Sequence, residues 1–182
     1  MENDEFNHLQ QCLLDSWQDE SYVEYTYLEA ALSLKRSVEH TQKTVTSQAI
    51  LCYGSGYDVE KIVNPVLNTI DKKNKNSIAA LARVDGSLFD SDDDAIISIA
   101  DQLILSRSHA RQHQAALEDL EEFLKSCHME RRPAILYVEN FQVFAGRKRQ
   151  TFIYTLLDLL HNPQAYFLVS NAKHMTINYN RI

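Results

Sequence analysis

Glycine and proline are scarce in this chain of 182 residues, which holds four of the first and three of the second. That scarcity excludes collagen-like and low-complexity disordered chains, which need one or both in quantity. Cysteine is scarce too. Cys12, Cys52 and Cys127 stand far apart, without the spacing of metal ligands or of a disulfide framework. An odd, unframed set suits a reducing compartment, cytosol or nucleus, where such residues serve as small apolar side chains. No apolar run approaches the length of about 18 residues that marks a membrane span. The opening Met1-Glu2-Asn3-Asp4-Glu5-Phe6 is acidic and lacks the basic start and apolar stretch of a signal peptide. Basic charge is also short: 18 Lys and Arg against 25 Asp and Glu leave a net charge of -7. A freestanding nucleic-acid binder carries a basic face, so any DNA contact falls to local patches or to partners. What remains is ordinary globular composition, with 45% apolar and 24% charged residues and length enough for one real core.

Residues 1–24 read as an acidic N-terminal segment, a short helix or a docking arm, with Phe6, Leu9, Leu13 and Trp17 at helical spacing. Helical periodicity runs over 27–40 through Leu28, Ala31, Leu32 and Val38. Polar residues 41–48 follow as a loop. The apolar run 49–53 is a strand that ends at glycine. Helical spacing resumes at Val59, Ile62, Val63, Val66, Leu67 and Ile70. Pro65 either kinks that helix or opens one after Asn64. Residues 72–76 form a polar loop, and 78–84 a second strand.

Ser91 opens a helix through about Leu105, with Asp92, Asp93 and Asp94 at its positive end. Residues 115–127 make a fourth helix faced by Ala116, Leu117, Leu120, Phe123 and Leu124. Pro133 precedes a third strand, 134–138, and residues 147–149 are a basic loop. Residues 151–160 are helical and apolar nearly all round, so they belong in a core between sheet and neighbour. Asn162-Pro163 is a turn, and 166–170 is a fourth strand. Strands alternating with helices imply an α/β fold, a parallel sheet with helices on both faces.

Gly54-Ser55-Gly56 lies between a strand and a helix, the context of a phosphate-binding loop. The pattern G-x-x-x-x-G-K-[ST] uses glycines to bring backbone N–H groups to phosphate, a lysine to neutralise charge and a hydroxyl to hold Mg²⁺. Laid on this chain, Leu51 replaces the first glycine and Gly56 is the second. Tyr57 takes the lysine position and Asp58 the hydroxyl position. A carboxylate about 4 Å from phosphate is repelled by about 4 kcal/mol at an effective dielectric near 20. A bound Mg²⁺ reverses that sign. From these residues alone, a tight turn and a degenerate phosphate cradle both stay open.

An ATPase of this class also needs an apolar strand ending in two acids, one for the Mg²⁺ water shell and one for the attacking water. Here the third strand ends in Glu139-Asn140. Glu139 retains the metal role, whereas a neutral amide at Asn140 accepts no proton. The fourth strand leads into Asn171, where such enzymes read the terminal phosphate.

Other groupings are weaker. His109 and His113 lie one helical turn apart but lack a third ligand, so a solvated helix face outweighs a metal site. Asp90, Asp92, Asp94 and Asp101 imitate a calcium loop, but Ala95 stands where glycine is required, so helix capping is favoured. Arg147, Lys148 and Arg149, with Lys72, Lys73 and Lys75, are candidate contacts to DNA phosphates or plain surface charge.

Three stretches carry a family resemblance: 50–56; 84–88 with the helix 95–103; and 134–145 with 150–158. The chain resembles the AAA+ ATPase-like domain of the origin recognition complex subunit 4 family over residues 25–182. That resemblance implies a P-loop (AAA+) parallel sheet of order 1-4-3-2, the fifth strand, lid and winged helix being missing from this sequence. It implies a nuclear protein in a complex with other origin recognition subunits on origin DNA, supporting replication initiation. It also implies a nucleotide site for ATP with Mg²⁺ at Gly54, Ser55, Gly56, Tyr57 and Asp58, with Glu139 and Asn140 as the acid pair's counterparts and Asn171 as sensor. Tyr57, Asp58 and Asn140 depart from the pattern, so the expected role is structural rather than catalytic, with no firmly held cofactor. Arg181 lies near the family's arginine finger. The alternative is another AAA+ ATP-binding protein or ATPase.

Overall fold

A computed structural model describes residue 11 and residues 25–54, 56–73, 79–104, 112–161 and 166–173. The 1–24 segment apart from Gln11, and Ser55, Lys75, His109, Asn162-Pro163 and Arg181, lie outside the described residues. The elements are α1 (Tyr25–Thr44), β1 (Gln48–Gly54), α2 (Gly56–Lys73), β2 (Leu81–Asp85), a 3-10 turn (Gly86–Leu88), α3 (Asp92–Ile104), α4 (His113–Met129), β3 (Ala134–Glu139), α5 (Phe141–Ala145), α6 (Thr151–His161) and β4 (Tyr166–Lys173). The four strands form one sheet in the order β1-β4-β3-β2, and every pairing is parallel.

The alternation of strand side chains divides the interior in two. Ala82, Val84, Ala134, Leu136 and Val138 face α3, α4, α5 and α6. Ile135 and Tyr137 face α1 and α2, where Leu28, Ala31, Leu34, Val38, Val63 and Val66 close a second core. Only an inner strand is apolar on both faces, and in β3 residues 134–138 are all buried. Cys127 sits in the first core, where burial first and Glu130 second push its thiol up to about 11. Cys52 is half-buried, and burial raises its thiol as well.

Several boundaries differ from the sequence reading. The polar stretch after residue 40 continues α1 to Thr44: Thr41 is fully buried, and the Thr44 hydroxyl bonds back to the His40 carbonyl at 2.8 Å. Pro65 lies inside α2 and does not start it. Its ring removes one backbone donor. Buried Val63, Val66 and Leu67 hold the helix on the sheet across that gap, and the Thr69 hydroxyl donates to the Pro65 carbonyl at 2.8 Å. β2 begins at Leu81 rather than at 78, and β4 continues to Lys173. The short α5 has no periodicity long enough to be read from sequence. α6 buries Phe152, Leu156 and Leu159 but leaves Tyr154 60% and Leu157 41% exposed, so only one of its faces enters this chain's core.

β2 lies at one end of the sheet order, and a side chain pairs with it there. Gln102 of α3 accepts from the Arg83 N–H and donates to the Arg83 carbonyl, both at 2.9 Å. A carboxamide thus reproduces what a neighbouring strand would offer. Replacing Gln102 by alanine should lower stability by about 1–3 kcal/mol, since two half-buried backbone groups lose their partner. Urea unfolding checks this; a change within about 0.5 kcal/mol would show that water replaces the amide.

Candidate functional site

The candidate site lies where the strands end. Gly54 closes β1 opposite Lys173 of β4, and α2 begins at Gly56, so the glycines do join a strand to a helix. Tyr57 and Asp58 are the second and third residues of that helix. Asn171 pairs with Cys52 and lies inside β4, two residues before its end, rather than beyond it. A longer parallel register with β1 carries the strand through it.

Glu139 ends β3 opposite Asp85 at the end of β2. Both lie on the α2 face, the face of Ile135 and Tyr137. Burial raises the Glu139 carboxyl above its usual range, the charges of Glu60 and Asp85 add to that, and Arg83 partly offsets it. Arg83 is itself held by the side-chain oxygens of Asn64 at 2.8 Å and Asn68 at 3.1 Å. The site edge is therefore acidic. It suits a cation beside Glu139 better than a bare polyphosphate.

Asn140 turns the chain with φ 50° and ψ 42°, a left-handed conformation that asparagine tolerates better than most residues. Its Nδ2 donates to Asp85 Oδ1 at 2.7 Å. The same oxygen accepts from Ser87 N at 2.8 Å and from Ser87 Oγ at 2.7 Å. An amide already donating here has no basic lone pair for a water proton. Gly86 makes the arrangement possible: a Cβ on it would lie 2.8 Å from the Asn140 carbonyl and 3.0 Å from the Phe144 ring.

The three basic residues do not act alike. Arg147 is not a free phosphate contact. Its guanidinium bonds Asp92 and the Phe89 carbonyl and lies 4.7 Å over the Phe144 ring. Asp92 also accepts from the Phe152 N–H at 3.0 Å, so it caps α6 while opening α3. Lys148 and Arg149 are exposed. Among the described residues no three His, Cys, Asp or Glu side chains are grouped to hold a metal. His113 lies 3.5 Å from Asp93. Among the described residues no helix is long and apolar enough to cross a membrane.

Sequence reasoning did not single out Asp85, Glu60 and Asp92 as parts of this network. Asp85 carried one usable signal: like Glu139 it closes an apolar strand. Glu60 carried none and Asp92 only its place at the start of a helix, because each meets these partners only in the tertiary fold.

No family model matches the chain. Over 106 residues it is 30% identical to the origin of replication complex subunit 4 of rice (Oryza sativa subsp. japonica), a match covering 56% of this chain and 22% of that protein. Among solved structures, Drosophila ORC bound to DNA matches with a TM-score of 0.66 at 19% identity, covering 92% of this chain and 43% of that one. The Aeropyrum pernix ORC2 protein, in ADPNP-ADP complexes, matches with a TM-score of 0.60 at 17% identity, covering 85% and 44%. The chain spans less than half the length of each of these proteins. It is thus similar in sequence to an origin of replication complex subunit 4, and its α/β fold is like that of the solved origin recognition structures it matches.

Proposed function

We propose that this chain is the AAA+ ATPase-like part, residues 25–182, of a nuclear origin recognition complex subunit related to subunit 4. Its role is structural. It packs among the other subunits of the complex on origin DNA and supports replication initiation. The observation that carries this reading is the sequence similarity to the rice subunit 4. The nucleotide site at Gly54, Ser55, Gly56, Tyr57 and Asp58 is degenerate: tyrosine stands at the lysine position and an acid at the hydroxyl position. Asn140 gives no general base. Lys148 and Arg149 remain as contacts for DNA phosphate, and Asn171 as a sensor-like residue.

Purification of the tagged chain from nuclear extract should recover other origin recognition subunits, and recovery of none overturns the reading. A second reading, an ATP-binding member of another AAA+ family, draws on the retained Glu139 and on the nucleotide-bound archaeal relative. Titration with ATP and Mg²⁺ in a calorimeter separates the two. The structural role expects no heat at micromolar ligand, whereas micromolar binding abolished by Glu139→Ala selects the second.

A further inference from the structure

We propose that Asp85 and Asn140 form an acid–amide clamp, in which the pair needs one donor and one acceptor, so that an acid at 85 demands an amide at 140. The clamp joins the ends of β2 and β3 across 55 residues of chain. It goes beyond the assembly role above and stands whether or not that role holds.

Polarity is set by the company Asp85 keeps. Its Oδ1 already receives the Ser87 N–H and the Ser87 hydroxyl when Asn140 Nδ2 arrives at 2.7 Å. Three donors on one oxygen suit a carboxylate and leave no place there for a second acceptor. Asn140 cannot swing away cheaply. Its carbonyl accepts from Val143 N–H at 2.9 Å to start α5, and that carbonyl lies against Gly86. The Gln142 amide reaches the Asn140 Oδ1 at 3.4 Å and orients the side chain from its other end.

The consequence concerns the acid that a water-activating strand end would carry at position 140. Supplying it alone sets two carboxylates within hydrogen-bond distance of each other. Like charges so placed cannot both ionise without repulsion, and one proton becomes shared. The amide at 140 is therefore demanded by Asp85, and reversing that one position restores no working base. An acid fits at 140 only if residue 85 becomes the amide.

The test is urea unfolding of the full chain and of Asn140→Asp, Asp85→Asn and the double variant, at pH 7 and pH 5. Asn140→Asp should lower the folding constant on the order of 30-fold at pH 7. Its shared proton raises the pair's folded pKa above the unfolded value. The deficit is therefore present above that folded pKa, and it shrinks as pH falls through it. Asp85 interacts with Glu139, which also feels Glu60 and Arg83. A carboxylate at 140 meets these charges in Asn140→Asp and in the double variant alike, so the comparison of those two isolates residue 85. The 3-10 turn and α5 bring no charge. Asp85→Asn should cost only about fivefold, the charge-assisted share of the bond. The double variant should recover at least half of the logarithmic loss of Asn140→Asp. If Asn140→Asp fails to fold at pH 7, folding of the double variant supports the clamp. A double variant no better than Asn140→Asp overturns it, as does an Asn140→Asp chain as stable as the parent at both pH values.

Discussion

Phe144→Ala should lower the unfolding free energy by about 3–5 kcal/mol, the range for emptying a buried aromatic site. Phe144 is fully buried and stacks on Phe152 with ring centroids 3.9 Å apart and an 18° interplanar angle. Its other contacts are with Arg147, whose guanidinium lies over the ring, and with Gly86, which leaves room for the ring edge. The ring thus joins α5, α6, the 3-10 turn and the Arg147 side chain. Its loss leaves a cavity on several elements at once, which limits how far the site can collapse. Phe144→Leu keeps much of the volume and should cost about half as much. Denaturant midpoints with an unchanged m-value check both. A Phe144→Ala loss below about 1 kcal/mol would show the core repacking around the gap.

The second large effect is expected at Asp92. Its carboxylate holds the Arg147 guanidinium with one oxygen and the Phe152 N–H with the other. The two side chains are only 12% and 20% exposed, so removing one leaves the other charge poorly solvated. Asp92→Ala should therefore cost about 2–4 kcal/mol, somewhat less than the breaking of a fully buried pair because some solvent reaches both groups. The lost α6 cap contributes part of this. Arg147→Ala should cost less, since Asp92 keeps the Phe152 N–H. The double variant should fall short of the sum of the singles, because the two share one interaction. Additive losses would break the assigned coupling. The same cycle explains why Arg147 is misread from sequence as part of a basic patch: its charge is spent inside the protein, and only Lys148 and Arg149 face solvent.

Most of the elements were legible in the sequence. The apolar runs at 49–53, 134–138 and 166–170 lie within β1, β3 and β4. Apolar residues at helical spacing marked α1, α2, α3 and α4, because a helix on a sheet needs one apolar stripe. The ends were less legible. Thr41 and Thr44 look like loop residues, yet burial and a hydroxyl bonded back to the preceding turn keep them helical. Pro65 looks like a boundary, yet the buried valines on either side override one missing donor. α6 looks apolar on every side, but this chain covers only the Phe152, Leu156 and Leu159 face.

Sequence by itself determined the α/β alternation, the glycine junction at Gly54 and Gly56, the tyrosine and acid where lysine and hydroxyl belong, and the Glu139-Asn140 strand end. These are local features, set by residue type and by the two side-chain periods of helix and strand. Tertiary structure alone decided what those residues touch. It brought Asp85 to Asn140 across 55 residues and Asp92 to Arg147 across 55, and it set Gln102 on Arg83 across 19. Such pairs depend on which strand ends lie side by side and on how closely Gly86 lets the chain approach. No local pattern encodes that adjacency. It follows from the place of β3 inside the sheet: helices bury both its faces, and its backbone groups, cut off from water, find their partners in β2 on one edge and β4 on the other.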